Sequence, residues 1–239
     1  MKIDCFLNYH ALNREVLEGR VVVVFDVLRA TSTMITALAN GAARIIAVDT
    51  MEAAQEAKAR FPEALLSGER DGVIIPGFDL GNSPGEFTTQ VVNGKTLITS
   101  TTNGTPAICA AQGAQEIWLG AILNARAVAM KAFDQARDLA LVCAGTNSQA
   151  SVDDLLGAGS VVYHICQAGQ ECRLNDSAQL AHIVYEKYRD NLCEGLLASN
   201  HGQKLHSMGH SLDILHCARE GWELIPILKD GYFSLEDER

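Results

Sequence analysis

Short runs of apolar, β-branched residues alternate along the chain with longer segments in which apolar residues recur at helical spacing. The strongest apolar run covers residues 21–26, and a helical pattern follows it over residues 31–40. Such alternation is typical of proteins in which helices cover a sheet whose strands are mostly parallel. The sequence therefore predicts a layered α/β/α fold with a largely parallel or mixed sheet.

The same patterns locate the other elements. Strands are predicted over residues 2–7, 21–26, 44–48, 96–100, 116–119, 139–143 and 223–228. Helices are predicted over residues 31–40, 52–60, 106–112, 124–135, 152–167, 177–188 and 211–219. Because no repeat or Pro/Ser-rich linker divides the chain, residues 1–239 are expected to form a single unit, with lobes of about 1–125 and 126–239 as the alternative.

A long segment between regular elements, residues 67–89, contains five Gly and two Pro and is predicted to be an irregular loop. Loops of this length inside a compact domain are often functional. Its glycines would let the backbone approach a ligand closely. Its polar candidates are Glu69, Arg70, Asp79, Asn82 and Ser83.

Composition narrows the class of protein. A 48% hydrophobic and 20% charged chain is typical of soluble globular proteins, and acidic and polar residues near the N-terminus argue against a signal peptide, so a cytoplasmic location is predicted. Seven cysteines without a CxxC motif predict reduced thiols rather than a disulfide framework or a zinc site. The net charge of −10 disfavours nucleic-acid and membrane partners but allows a small anionic substrate.

Asp26 stands at the end of the strongest apolar run, and Arg29 and the hydroxyl residues 31–33 follow it where a helix is predicted to begin. A helix N-terminus offers free N–H groups and a partial positive charge, so this segment could bind an oxyanion. Simple N-capping by Thr31 or Ser32, with Arg29 solvated, explains the same residues equally well. Both interpretations stay open at this point.

A second loop follows the strand predicted at residues 96–100. Its Thr-Asn-Gly-Thr-Pro sequence predicts a turn at Asn103 and Gly104, an N-cap at Thr105 and Pro106 at the first helical position. Ligands of open α/β sheets bind beyond the carboxyl ends of the strands. Thr102, Asn103 and Gly104 are therefore candidate phosphate contacts.

A third loop leads from the strand predicted at residues 139–143 to Ser151, Asp153 and Asp154. The Ser-x-x-Asp spacing is typical of a capping box, and acids are favoured in a first helical turn, so a structural role is the stronger interpretation here. A metal-ligand role for either Asp is the alternative. Carboxylates of this kind suit Mg²⁺, and a metal-assisted attack on a phosphate monoester is the reaction that the three loops support best.

Several common catalytic motifs are absent from the sequence: the P-loop, the dinucleotide fingerprint and the GxSxG elbow. Phosphatases that form an aspartyl-phosphate carry a second Asp two positions after the nucleophile, and here that residue is Leu28. Asp26 is therefore predicted to bind Mg²⁺ or to orient another group. Surface or packing roles are expected for Cys143 and for the C-terminal histidines, His201, His206, His210 and His216.

Taken in order, the segments VFDVLRATST, GERDGVIIPGFDLGNSP, TSTTNGTPAI, VCAGT and VDDLLGAG resemble the 2-phosphosulfolactate phosphatase (ComB) family. The resemblance extends from about residue 20 to about residue 160 and is less distinctive in the C-terminal third. It implies a ComB-like fold and a Mg²⁺-dependent phosphatase that hydrolyses (R)-2-phospho-3-sulfolactate to 3-sulfolactate and phosphate. In the family, this reaction is a step of coenzyme M biosynthesis.

The resemblance also implies roles for individual residues. It implies catalytic roles for Asp26, Arg29 and Arg70. It also implies a Mg²⁺ site formed by Asp26, Glu69 and Asp154. Substrate or phosphate contacts fall to Thr31, Asp79, Asn82, Ser83, Thr102, Asn103 and Gly104. The family usually has Glu-Asp where this chain has Asp153 and Asp154, which leaves Asp154 the better ligand candidate.

Two other functions stay open: a phosphatase of another small phospho-acid, and a non-catalytic, anion-binding regulatory protein. A homo-oligomer is also considered, because most soluble assemblies are symmetric.

Overall fold

The computed structural model describes residues 1–169 and 171–235 of the chain. In that part of the chain the strands form one eleven-stranded mixed sheet with helices packed against it. The predicted α/β fold class is thus confirmed.

The strands are β1 (Lys2–Phe6), β2 (Val21–Phe25), β3 (Arg44–Ala47), β4 (Leu65–Arg70), β5 (Val73–Ile74), β6 (Thr96–Ser100), β7 (Glu116–Gly120), β8 (Leu139–Cys143), β9 (Arg173–Leu174), β10 (Ile227–Lys229) and β11 (Tyr232–Ser234). The α-helices are α1 (Arg14–Leu17), α2 (Ala30–Ala39), α3 (Met51–Arg60), α4 (Thr89–Val92), α5 (Gly104–Ala110), α6 (Ala125–Asp134), α7 (Val152–Gln167), α8 (Asp176–Tyr188), α9 (Leu192–Ala198), α10 (Asn200–Ser207) and α11 (Ser211–Cys217). Short 3₁₀ helices cover Tyr9–Ala11, Pro84–Glu86 and Ile122–Asn124.

The predicted elements are present, most with ends displaced by one or two residues. The prediction of an irregular loop over residues 67–89 is wrong at its start, because β4 runs to Arg70 and pairs with β6 in parallel. The last predicted strand, residues 223–228, is also wrong at its start, since β10 begins only at Ile227. The strands and α-helices that sequence patterns did not indicate have eight residues or fewer: α1, α4, α9, α10, β4, β5, β9 and β11.

Two groups of parallel strands make up most of the sheet, one in the order β4-β6-β3 and the other in the order β7-β2-β8-β1-β9. The β10–β11 hairpin lies between them. It pairs with β7 through Ile227 and Trp118 and with β3 through Phe233 and Ile45, both antiparallel. Because three antiparallel pairings separate β3 from β7, the two parallel groups run in opposite directions.

Strand β2 lies at the centre of the second group and is buried on both faces, which is why its sequence is an uninterrupted apolar run. Val21, Val23 and Phe25 point into a core shared with α6, α7 and α8. Val22 and Val24 point into a core shared with α2, α5, β3 and β6. The helices α2 and α5 thus pack between the two groups of strands.

This arrangement brings the loops after β2 and β6 together. A flat sheet of this order would put the carboxyl ends of these two strands at opposite edges. However, a Cβ atom added at Gly104, just after β6, would lie 2.7 Å from Oδ2 of Asp26, just after β2. The sheet therefore turns between the groups, and this turn assembles the site described below.

No helix among the described residues is both long enough and apolar enough to cross a membrane. All seven cysteines are free thiols.

Candidate active site

Asp26 closes the turn between β2 and α2. Its Oδ1 atom accepts the N–H of Ala30 at 3.1 Å, and its backbone oxygen accepts the N–H of Thr31 at 2.9 Å. The other carboxylate oxygen, Oδ2, faces Gly104. One oxygen of Asp26 thus satisfies the helix N-terminus, while the second is directed toward the loop after β6.

Thr31 and Ser32 hold the backbone on which Asp26 sits. The Thr31 hydroxyl accepts the N–H of Asp26 and donates to its carbonyl, and the Ser32 hydroxyl donates to the carbonyl of Val27. Both side chains are fully buried, and α2 begins before them. The N-cap interpretation is therefore wrong. The Thr31 hydroxyl supports the turn and Thr31 does not line the cleft described below, and the phosphate contact predicted for it stays a prediction.

A cleft with a cavity volume of about 190 Å³ opens in front of Asp26. It brings together these residues predicted from the sequence: Asp26, Arg29, Glu69, Asn82, Thr102 and Asn103. It is also lined by residues that were not predicted: Leu28, Asp71, Gly72, Thr146, Asn147, Asn200, His201 and Lys204. Gly104 lies beside Asp26 but does not line the cleft.

Glu69 ties two walls of the cleft together. Its Oε2 atom accepts the N–H of Gly72 at 2.7 Å, and its Oε1 atom accepts the N–H of Thr102 at 2.8 Å. The Thr102 hydroxyl donates to Oε2 at 3.3 Å. The Thr102 amide is therefore occupied, whereas the backbone N–H groups of Asn103 and Gly104 make no hydrogen bond to any described residue.

Arg29 is a buried cation with a fixed orientation. Its Nη1 atom donates to Oδ2 of Asp213 at 2.6 Å, and its Nη2 atom donates to the carbonyl of Gly72 at 3.1 Å. The Asp213 carboxylate in turn accepts the hydroxyl of Ser83. Because these contacts use only part of the guanidinium, the remaining N–H groups can donate to an anion in the cleft.

Three predicted contacts lie outside the cleft. The Arg70 guanidinium donates to the Ser100 carbonyl and hydroxyl, so the structure places it against β6. The Asp79 carboxylate accepts the N–H of Leu66, and Ser83 is bonded to Asp213. The polar groups of Arg70, Asp79 and Ser83 are thus bonded within the protein, and the roles predicted for these residues stay predictions.

Asp154 links the loops after β2 and β8. Its Oδ1 atom accepts the N–H of Val27 at 2.9 Å, and its Oδ2 atom accepts the N–H of Gly145 at 2.8 Å. The capping-box interpretation is wrong, because the Ser151 hydroxyl donates to Asp153 instead of capping α7. Asp154 does not line the cleft and its carboxylate crosslinks the two loops, while the metal-ligand role predicted for it stays a prediction.

Carboxylates dominate the electrostatics around Asp26. The pKa of Asp26 is raised to about 8, mainly by burial and also by the negative charges of Glu69 and Asp153, while the Ala30 N–H and Arg29 act in the opposite direction. Burial and the charge of Asp153 also raise the pKa of Asp154. The acidic side chains in and behind the floor of the cleft therefore disfavour one another's ionised forms.

A divalent cation in the cleft would favour the ionised form of these carboxylates. No group of three His, Cys, Asp or Glu side chains suited to a metal ion occurs in the described part of the chain, so the predicted set of Asp26, Glu69 and Asp154 does not form. Mg²⁺, however, usually binds through one or two protein carboxylates and completes its shell with water and substrate oxygens. Asp26 and Glu69, which both line the cleft, meet that requirement.

His201 is the one C-terminal histidine that reaches the cleft in the described structure. Burial lowers its pKa, although the charges of Asp153 and Glu69 act in the opposite direction, so the ring is neutral at neutral pH. The other three histidines bond to Ser211, Asp213 and Thr36. A hydrogen bond with Cys5 and burial raise the pKa of Cys143, which keeps this thiol protonated.

Comparison with known proteins adds to this geometry. A family model described as 2-phosphosulpholactate phosphatase matches residues 6–231. A protein of Symbiobacterium thermophilum named "Probable 2-phosphosulfolactate phosphatase" is 39% identical over 224 residues, which cover 92% of this chain and 96% of the relative. A protein of the same name from Carboxydothermus hydrogenoformans is 40% identical, and the match covers 98% of this chain and 94% of the relative. Another from Caldanaerobacter subterraneus is 37% identical, and the match covers 97% of each chain.

Proposed function

Because the chain belongs to the 2-phosphosulfolactate phosphatase family, we propose that it hydrolyses (R)-2-phospho-3-sulfolactate to 3-sulfolactate and phosphate with Mg²⁺ as its cofactor. The family places it among the phosphoric monoester hydrolases. The observation that carries the proposal is the cleft, in which Asp26, Arg29, Glu69 and Asn103 converge from the β2–α2 turn, strand β4 and the β6–α5 loop.

In the reaction, the oxygen of a water molecule forms a bond to phosphorus and the bond between phosphorus and the C2 oxygen of the substrate breaks. The attacking water loses a proton, and the departing alkoxide gains one. Negative charge on the phosphoryl oxygens must be stabilised throughout, so fixed cations and N–H donors aimed at them lower the barrier. When bound by Asp26 and Glu69, Mg²⁺ would supply further stabilisation of this charge.

Arg29 is the cation placed to meet the phosphoryl group. Its charge acts on Asp26, so the two side chains belong to the same end of the cleft. Asp213 and Gly72 hold the guanidinium in place before any substrate arrives. Such preorganisation means that little reorganisation is needed when charge develops in the transition state.

Neutral amides line the rest of the cleft. The side chains of Asn82, Asn103 and Asn147 make no hydrogen bonds to described residues, and all three face the cavity. Each amide can donate to an oxygen of the phosphate, carboxylate or sulfonate without adding charge. They therefore support a site for a small ligand that carries several acid groups.

Release of phosphate from a panel of phosphate monoesters tests the proposal. We expect 2-phosphosulfolactate to be hydrolysed with a kcat/KM roughly 100-fold above that of p-nitrophenyl phosphate, because the latter lacks both further acid groups. EDTA should stop phosphate release and added Mg²⁺ should restore it. A higher kcat/KM for another phospho-acid would favour the alternative substrate, and phosphate binding without turnover would favour a regulatory protein.

Gly104→Ala is expected to lower kcat/KM for 2-phosphosulfolactate by more than roughly 10-fold and to destabilise the protein by about 1–3 kcal/mol. The added Cβ would lie 2.7 Å from both the Ala30 Cβ and Oδ2 of Asp26, so the carboxylate must move. Steady-state kinetics and urea denaturation measure the two effects. Gly85→Ala is the matched control, because its Cβ would meet only the Ser83 hydroxyl, at 3.9 Å; equal losses in both variants would contradict this argument.

A role in coenzyme M biosynthesis, a cytoplasmic location and homo-oligomeric assembly stay predictions. They are supported by the family resemblance, by composition and by the frequency of symmetric assemblies, respectively.

A further inference from the structure

The cleft has two basic side chains among its described lining residues, Arg29 and Lys204. The two side chains differ in their exposure and in the burial of their ion-pair partners. The Arg29 side chain is 3% exposed and forms its ion pair with a carboxylate that is itself buried. The Lys204 side chain, on α10, is 45% exposed and stands at the mouth of the cleft.

The ion pair of Lys204 is easily exchanged. Its partner is Asp71, whose side chain is 92% exposed, and the Nζ and Oδ1 atoms are 3.7 Å apart. Pairs between solvated side chains at this distance contribute little to stability. An acid group of a bound ligand could therefore replace Asp71 as the partner of Lys204.

The substrate named under the proposed function, on which this inference rests, has acid groups that the phosphate end of the cleft does not accommodate. Asp26, Glu69 and Arg29 form that end, and two of these three side chains are acidic. The phosphate and Mg²⁺ would occupy Arg29, Asp26 and Glu69 at that end, so a further carboxylate or sulfonate needs another cation. Among the described residues that line the cleft, the other basic side chain is Lys204, on the α10 side, where Asn200 and His201 add polar groups.

We propose that Lys204 determines substrate specificity by binding an acid group of the substrate other than the phosphate, in exchange for its contact with Asp71. A lysine suits this role, because its ammonium group sits on a flexible stem and can follow the ligand into the cleft. The residue acts on substrate selection, whereas the phosphoryl group is handled at the other end of the cleft.

Lys204→Met tests this assignment. We expect kcat/KM for 2-phosphosulfolactate to fall roughly 10- to 100-fold, mostly through KM, because one charge-assisted contact is lost. The kcat/KM for p-nitrophenyl phosphate, which has no second acid group, should change less than about twofold. Equal losses with both substrates, or no loss with 2-phosphosulfolactate, would overturn the proposal.

Two further substrates identify the acid group. 2-Phospholactate keeps the carboxylate and lacks the sulfonate, whereas phosphorylated 2-hydroxyethanesulfonate keeps the sulfonate and lacks the carboxylate. The variant should lose activity only with the compound that keeps the group bound by Lys204. If it loses activity with neither, the proposal is wrong.

Three variants serve as controls. Lys204→Arg keeps the charge and should retain most of the kcat/KM for 2-phosphosulfolactate. Asp71→Asn removes the competing carboxylate and should leave that value equal or raised; a loss matching that of Lys204→Met would mean that the ion pair is structural. Lys95→Met removes an exposed lysine outside the cleft and should change nothing.

The proposed function and this inference fail in different ways. If the unmodified enzyme does not prefer 2-phosphosulfolactate to p-nitrophenyl phosphate, the proposed substrate is wrong. If it does and Lys204→Met keeps the same preference, only the assignment of Lys204 is wrong.

Discussion

Asp26→Asn should lower the kcat/KM of Mg²⁺-dependent phosphate release by roughly 1,000-fold or more, a loss typical of removing a catalytic group that acts on charge in the transition state. Asparagine keeps the acceptor for the Ala30 N–H, so the turn at the start of α2 is preserved. The charge that would hold Mg²⁺ is lost. Phosphate release and the Mg²⁺-induced shift in melting temperature, measured on the same preparations, should disappear together.

The same variant should be more stable than the unmodified protein at pH 8 in the absence of metal. The pKa of Asp26 is about 8 in the folded protein against 3.8 for the ordinary side chain, so the fold favours the protonated acid. Its stabilising contribution is therefore complete below about pH 4 and is lost as the pH rises toward 8. Because asparagine does not titrate, the difference in free energy of unfolding should grow across this range to the order of 3–5 kcal/mol.

Urea denaturation at pH 4.5 and pH 8, with EDTA or with Mg²⁺, measures this difference. Mg²⁺ should restore the stability of the unmodified protein at pH 8 and leave the variant unchanged. Asp154→Asn is the matched control, because this carboxylate is also buried but is bonded to Val27 and Gly145 outside the cleft. It should keep its Mg²⁺-induced shift; if Asp154→Asn loses the shift and Asp26→Asn keeps it, the two roles are reversed.

Asp213→Ala should destabilise the protein by about 3–5 kcal/mol, because it leaves the buried Arg29 guanidinium without its counter-charge. The two side chains are 8% and 3% exposed and meet at 2.6 Å. The Ser83 hydroxyl loses its acceptor at the same time. We also expect kcat/KM to fall by roughly 10- to 100-fold, since Asp213 holds Arg29 in position.

A double variant separates the effect of Asp213 on protein stability from its effect on the position of Arg29. Arg29→Met combined with Asp213→Leu removes both charges and should recover most of the lost stability while phosphate release stays low. Glu223→Ala provides the comparison for a solvated pair, because Glu223 and Arg126 are 67% and 62% exposed; it should change stability by less than about 1 kcal/mol. A double variant as unstable as Asp213→Ala would show that packing, and not the unpaired charge, causes the loss.

Much of the fold follows from local signals in the sequence. Strand β2 can be predicted from the sequence because both of its faces are buried, so each of its residues is apolar. The turn at Asn103 can be predicted because Thr, Asn, Gly and Pro each have a preferred position at the start of a helix. The helix nevertheless starts at Gly104 rather than at Pro106, since Thr105 bonds back to Thr101 instead of serving as the N-cap.

Other parts of the site depend on contacts between distant segments. Strand β4 ends in Ser-Gly-Glu-Arg, which is a poor strand pattern, and it is held by its pairing with β6. Helix α10 carries a cap signal in Ser199, but Gly202 three residues later argues against a helix. The glycine is required there because a Cβ atom would lie 2.0 Å from the carbonyl oxygen of Leu196. Neither His201 nor Lys204 could therefore be placed beside Asp26 from local pattern alone.

Asp154 shows a second reason why a sequence pattern can fail to predict the role of a residue. Its spacing from Ser151 matches a common local motif, and the sequence alone favours that interpretation. In the folded chain its two oxygens bond instead to Val27, which is 127 positions away, and to Gly145. The same carboxylate could form the local capping box or the long-range hydrogen bonds, and sequence spacing alone does not distinguish these two arrangements.

The hairpin between the two groups of strands bears on how the protein is made. Its residues, Ile227–Lys229 and Tyr232–Ser234, leave the ribosome after the strands on either side of it, β3 and β7. Until they emerge, the nascent chain holds two half-sheets whose facing edges are unpaired, and such edges invite aggregation. The segment that joins the two groups of strands is thus synthesised after both of them, so the pocket assembles only once residues 227–234 have left the ribosome.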